Sequence, residues 1–162
     1  MIWLLLACAP DICGEAPATG TTQATVDGSV WSTSDVVLTL AGSSLQVTLP
    51  QDEDGLWYFS IVAQKDVGGT GVADLLRTPE SFPIEVRLQT GTEGGWAVAY
   101  TGPGNAFGTG SSFSTTESAS GGELWISSNE EGTLHGCYSF SAANDEESIS
   151  ILDGVFSAEL GE

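Results

Sequence analysis

From Thr22 onward the chain alternates apolar and polar side chains in short stretches separated by turn-forming residues. Leu38 and Leu40 bracket Thr39, and Leu45, Val47 and Leu49 bracket Gln46 and Thr48. Phe82, Ile84, Val86 and Leu88 fall on one parity, Glu85, Arg87 and Gln89 on the other. A period of two places one set of side chains on each face of an extended strand, so these segments read as half-buried strands with a wet outer face. The same pattern predicts strands over Thr22–Val26, Ser29–Thr33, Val36–Leu40, Leu45–Leu49, Leu56–Ala63, Phe82–Thr90, Trp96–Tyr100, Glu123–Ser128 and Thr133–Ala142. A weaker one is expected over Ser112–Thr116, and a closing hairpin over Ser148–Leu152 and Val155–Leu160, turning at Asp153-Gly154. Asp27-Gly28 is the two-residue signal of a type I′ hairpin. Leu56–Ala63 is the most apolar of these runs and should be central. Val72–Arg77 predicts one helical turn ahead of Pro79, in an otherwise loose stretch at 65–81. Residues 102–122, rich in Gly, Ser and Thr, read as an excursion. About ten short strands at hairpin spacing, with almost no helix, predict an all-β antiparallel sandwich or barrel-like sandwich.

The segment before this pattern is different in kind. Met1 to Ala7 is an unbroken apolar run, followed at once by Pro10, Asp11 and Gly14. It is far shorter than the roughly 20 residues of a membrane-spanning helix. Leu5-Leu6-Ala7-Cys8 resembles a bacterial lipobox, in which the Cys thiol is acylated and the chain is cut just before it. Export signals ordinarily carry a basic residue ahead of the apolar stretch, and none precedes Leu4 here. The lipobox implies a chain hung from a membrane by acyl chains on Cys8. Ala9, rather than an Asp, follows the Cys, which leans toward the outer membrane or cell surface. Pro10 to Gly20 lacks periodicity and reads as a tether. The expected organisation is a signal segment at 1–7, an acylated Cys and tether at 8–20, and a single β-sandwich domain at 21–162.

Lipid on Cys8 leaves Cys13 and Cys137, and two thiols in an exported protein invite a disulfide. The competing reading, a zinc site of Cys13, His135 and Cys137, lacks the fourth ligand that structural zinc usually takes.

The 162 residues hold 22 acids against 3 bases, for a net charge of −19. Such a surface repels phosphate backbones and does not bind nucleic acid through counterion release. The acids cluster in turn-like stretches: Asp52, Glu53 and Asp54; Glu130 and Glu131; Asp145, Glu146 and Glu147. Turns collect solvated acids without any task. Asp52 and Asp54, followed by Gly55, form a weak candidate calcium loop, and no other metal or cofactor is expected. Glu85 and Arg87 share a strand face as an ion pair. His135 has no acid beside it in sequence and there is no Gly-x-Ser-x-Gly elbow, so neither a triad nor any other catalytic set is expected. Trp31, Trp57, Trp96 and Trp125 are either core or a sugar-stacking surface; Trp125 reads as core.

Ala24-Thr25-Val26-Asp27-Gly28 followed by Trp31, then Gly122 to Ile126, Leu134 to Phe140 and Ile149 to Phe156, resemble a family of small exported bacterial lipoproteins with a sandwich-like β domain. That family is uncharacterised, and the resemblance implies export and β architecture but no activity. His135 and Cys137 stand where it usually has small polar residues, which points to Cys137 on an outer face within reach of Cys13. The resulting expectation is a lipid-anchored, non-enzymatic interaction or surface module of the cell envelope, touching the membrane only through its anchor and binding a protein or glycan. The alternative is a carbohydrate-active hydrolase using two acids, or a carbohydrate-binding module.

Overall fold

The computed structural model describes residues 12–51, 57–89, 94–101, 111–117 and 120–161. Cys8 with its lipobox, and Asp52 and Asp54, lie outside the described residues. Among the described residues eleven strands follow one another: β1 (Thr21–Val26), β2 (Ser29–Thr33), β3 (Val37–Ala41), β4 (Ser44–Leu49), β5 (Trp57–Ala63), β6 (Ile84–Leu88), β7 (Gly95–Thr101), β8 (Ser112–Ser114), β9 (Gly121–Glu130), β10 (Thr133–Ala143) and β11 (Ser148–Glu159). The one α-helical turn among the described residues, α1 (Val72–Leu75), falls where the sequence places it and buries Val72 and Ala73. The fold class is all-β, as the alternation predicts.

The strands pair in the order β2-β1-β11-β10-β9-β6-β7-β5-β4-β3. Nearly all neighbours are antiparallel; β6 and β7 touch in parallel at Leu88 and Gly95. Short β8 pairs with both β7 and β10, so that β6, β7, β8, β10 and β9 form a closed five-stranded barrel. The open end, β3, returns to the chain just beyond β11 through a parallel bridge between Leu38 and Leu160. Inside lie the residues of one parity: Leu45, Val47 and Leu49; Phe59, Ile61 and Ala63; Val86 and Leu88; Leu124 and Ile126 are all fully buried. Asp27 and Gly28 have φ of 45° and 84°, the left-handed pair that a type I′ turn requires.

The expected closing hairpin is corrected. Ser148–Glu159 is a single long strand between β1 and β10, and Asp153-Gly154 sits in its middle. Ile149 and Ile151 face inward on odd positions, Gly154, Phe156 and Ala158 on even ones. A bulge reconciles the two halves: pairing with β10 jumps from Tyr138–Gly154 to Phe140–Ile151, and Asp153 takes a φ of 52°. An extra residue in one strand flips its parity without ending it. The Asp153 amide donates to Ser139 Oγ at 3.2 Å. Tyr138 lies flat over Gly154, where a Cβ would collide with its ring. The aromatic-Ser-aromatic stretch at 138–140 thus holds the bulge in place.

Candidate functional site

Cys137 faces outward on β10, and its sulfur is bonded to Cys13, with the two Cα atoms 5.3 Å apart. Cys13 is buried against the sheet near Trp125. Residues 12–20 therefore do not hang free. They are pinned at Cys13 and again at Gly20, whose amide donates to the Ser157 carbonyl at 2.6 Å. Ile12, Trp125, Cys137 and Val155 border a shallow hollow of about 360 Å³ over this staple. Trp125, expected in the core, is half-buried and outward-facing, because Leu124 and Ile126 take the inward positions.

His135 lies between Leu134 and Gly136, which share the inward parity of the strand, so alternation predicts it on the surface; instead it is buried. Pairing of β9 with β10 slips here, leaving Ser127 as the extra residue of a second bulge. Ser127 Oγ donates to the His135 carbonyl at 3.1 Å and lies 3.0 Å from His135 Nδ1. The pair braces the bulge from within the sheet.

Asp27 and Glu147 border one hollow of about 520 Å³ together with Trp57 and Phe113. The Asp27 carboxylate is already engaged, accepting the Ser150 amide at 2.8 Å. Glu130 and Glu131 flank the separate β9–β10 turn. Glu85 and Arg87 stand 3.9 Å apart as expected, an exposed contact of small energetic weight. Among the described residues no group of three or more His, Cys, Asp or Glu is placed to hold a metal ion.

The four tryptophans divide. Trp31 is buried, edge-on to Phe59 at 4.8 Å. Trp57 stacks on Phe59 at 5.9 Å and packs on the core. Trp125 lies by the staple. Trp96 points outward from β7, on the same face as Tyr58 of β5 and Tyr100 of β7. The even parity of the two tyrosines, beside buried Phe59 and Ala99, marks them as outward in the sequence as well.

One buried tyrosine has a titration consequence. Burial pushes the Tyr138 phenol well above its ordinary 10.0, against the smaller opposing effect of its hydrogen bond to Thr22. Thr22 Oγ1 lies 2.7 Å from the phenol oxygen and donates to the Val155 carbonyl at 2.8 Å. The folded state therefore keeps this proton above pH 10 while the unfolded chain releases it. The associated stability is present below pH 10 and is lost as pH rises beyond it. Tyr138→Phe should destabilise the neutral protein by about 1 kcal/mol through the lost hydrogen bond. It should also flatten the alkaline decline in melting temperature, and melting curves across pH 8 to 12 or so check both effects.

No protein-family model matches this sequence, and neither a curated protein nor a solved structure matches it.

Proposed function

We propose that this chain is an exported interaction module, hung from a membrane by acyl chains on Cys8 and without catalytic chemistry of its own. The observation that supports it is the Cys13–Cys137 disulfide. Disulfides persist in oxidising compartments outside the cytosol. This pair is also the one left once Cys8 is committed to lipid. The likeness of the opening and closing strands to exported β lipoproteins belongs to the same reading.

The staple gives the anchor a direction. Cys8 and Cys13 are five positions apart in sequence, a reach of at most about 18 Å when fully extended. The bilayer would then hold the domain by the outward face of β10, and pull on the anchor would load the middle of the sheet. Several acyl chains suffice for stable attachment, since each buried CH₂ contributes about 0.8 kcal/mol.

The test is the intact mass of protein recovered from the membrane fraction. The expected species begins at Cys8, carries acyl mass, and is two hydrogens lighter than the dithiol form. A soluble, unacylated species that retains Met1 would overturn the reading.

A further inference from the structure

We propose that the free edge of β2 docks an extended, basic segment of another polypeptide, which joins the sheet as a further strand. In the strand order β2 stands at one end and pairs with β1 alone among the described residues. The strand at the other end, β3, is closed by its bridge to Leu160. The two-residue turn at Asp27-Gly28 fixes what β2 offers. The pair flanking such a turn, Val26 and Ser29, is hydrogen-bonded, and bonded pairs then alternate along an antiparallel ladder. Ser29, Trp31 and Thr33 are thus spent on β1, while the N–H and C=O groups of Val30 and Ser32 point away from it. That edge is uncovered. Ser29, Val30 and Ser32 are exposed, and Val30, at 74%, is the most exposed large apolar side chain among the described residues.

Open edges are ordinarily protected by a charge, a proline or a bulge. Ser29-Val30-Trp31-Ser32-Thr33 has no charged residue and no proline, and its register against β1 runs without a shift. On the outer face Val30 pairs with Thr25, and Thr25 with exposed Leu152 of β11. This row ends at the edge, where a further strand would continue it. Beside β2 lies a hollow of about 720 Å³, bordered by Thr21, Val30, Trp31, Asp35 and Pro50 among others. Trp31 is only 4% exposed, and its indole Nε1 is buried with no hydrogen-bond partner among the described residues. Buried indole N–H groups ordinarily have an acceptor. An unmet donor on a residue that walls the hollow points to an acceptor arriving from outside, such as a main-chain oxygen of the docked segment.

Charge selects the occupant. The molecule carries −19, Asp35 borders the hollow, and Asp27 stands in the turn at the other end of β2. The three bases, Lys65, Arg77 and Arg87, are not among the residues around it. A basic strand is drawn in, whereas a second copy brings another −19 to the same edge.

This gives the interaction module its partner class and rests on that reading only in taking the protein to bind others. Acylation is read by mass and strand addition by peptides, so the two fail separately. The probes are labelled peptides of about nine residues alternating Lys with Val or Lys with Thr, copies N-methylated at all internal amides, and copies with Glu for Lys. Fluorescence anisotropy with full-length protein in mild detergent should show the Lys peptides binding and the Glu copies not. The N-methylated copies should bind about tenfold or more weakly, because they keep the charge but lose backbone pairing. Hydrogen exchange of the Val30 and Ser32 amides should slow when a Lys peptide is bound. Val30→Pro keeps every bond to β1, since that N–H points away, and should weaken binding about tenfold or more. Val30→Lys should weaken it too, whereas Val67→Lys, the same charge change on another loop, should leave it within about twofold. Melting curves establish that the variants fold; if Val30→Pro does not, Val30→Lys is read against Val67→Lys instead. No binding of either Lys peptide, equal binding of the N-methylated copies, or binding unchanged in the folded Val30 variants would overturn the proposal. So would slow exchange of Val30 and Ser32 in the monomeric protein alone, which assigns the edge to a segment of this chain. A dimer in sedimentation that Val30→Pro dissolves would overturn it as well, in favour of a second copy.

Discussion

Cys137→Ser is expected to cost this protein up to about 5 kcal/mol of stability, on the chain-entropy relation for a loop this long. The disulfide joins residues 124 apart, so it restrains nearly the whole described chain when unfolded. Its native-state effect is narrower: Cys137 faces outward, and the core beneath it is built from Tyr138, Phe140 and their partners. The substitution should therefore leave the β spectrum intact while lowering the melting temperature by on the order of 10 °C. Adding reductant to the wild type should reproduce the shift, and Cys13→Ser should match Cys137→Ser. A melting temperature indifferent to both reductant and substitution would show that the bond contributes nothing.

Phe59→Ala should destabilise by about 3–5 kcal/mol, the range for truncating a fully buried aromatic. Phe59 is wholly buried at the point where three parts of the fold meet. Its ring receives Trp31 edge-on from β2, Trp57 stacked from its own strand, and Phe140 edge-on from β10. Truncation leaves a hole lined by large flat rings, which collapse poorly into one another. Phe59→Leu fills most of the volume and should cost markedly less, without restoring the ring geometry. Denaturant midpoints of the two variants, measured with the disulfide intact, give the comparison. Equal midpoints for Ala and Leu would mean that the cavity, and hence the ring packing around Phe59, contributes little to stability.

Much of the architecture was legible because alternation is local. Leu45, Val47 and Leu49 announce an inward face within six residues, and no distant partner changes that parity. The Asp27-Gly28 turn was legible for a related reason: only left-handed conformations close a two-residue hairpin, and this pair adopts them cheaply. The same dipeptide chemistry misled at Asp153-Gly154. There the inward positions change from odd to even, a change that a turn and a bulge produce equally well. Two flanking strands, β1 and β10, that run past the site decide for the bulge.

The candidate sites show the same division. Pairing of Cys13 with Cys137 followed from the count of thiols. His135 was misread because a residue at a bulge no longer obeys the alternation that assigns it to the surface. Trp125 was misread in the opposite sense, because Leu124 and Ile126 claim the inward positions on either side of it. Tyr58 is far in sequence from Trp96 and Tyr100, and their grouping depends on β5 pairing with β7 rather than with its neighbour in the chain, β6.

By itself, then, the order of side chains determined where most strands begin, which way residues face away from the bulges, and which thiols were available to bond. Strand order, the two bulges, the ring closure at Leu38 and Leu160, and the open edge at β2 were decided only in the folded molecule. The physical reason is that backbone hydrogen bonds are chemically alike in every strand. Choice of partner therefore rests on which arrangement buries all the inward faces at once, and that is a property of the whole chain.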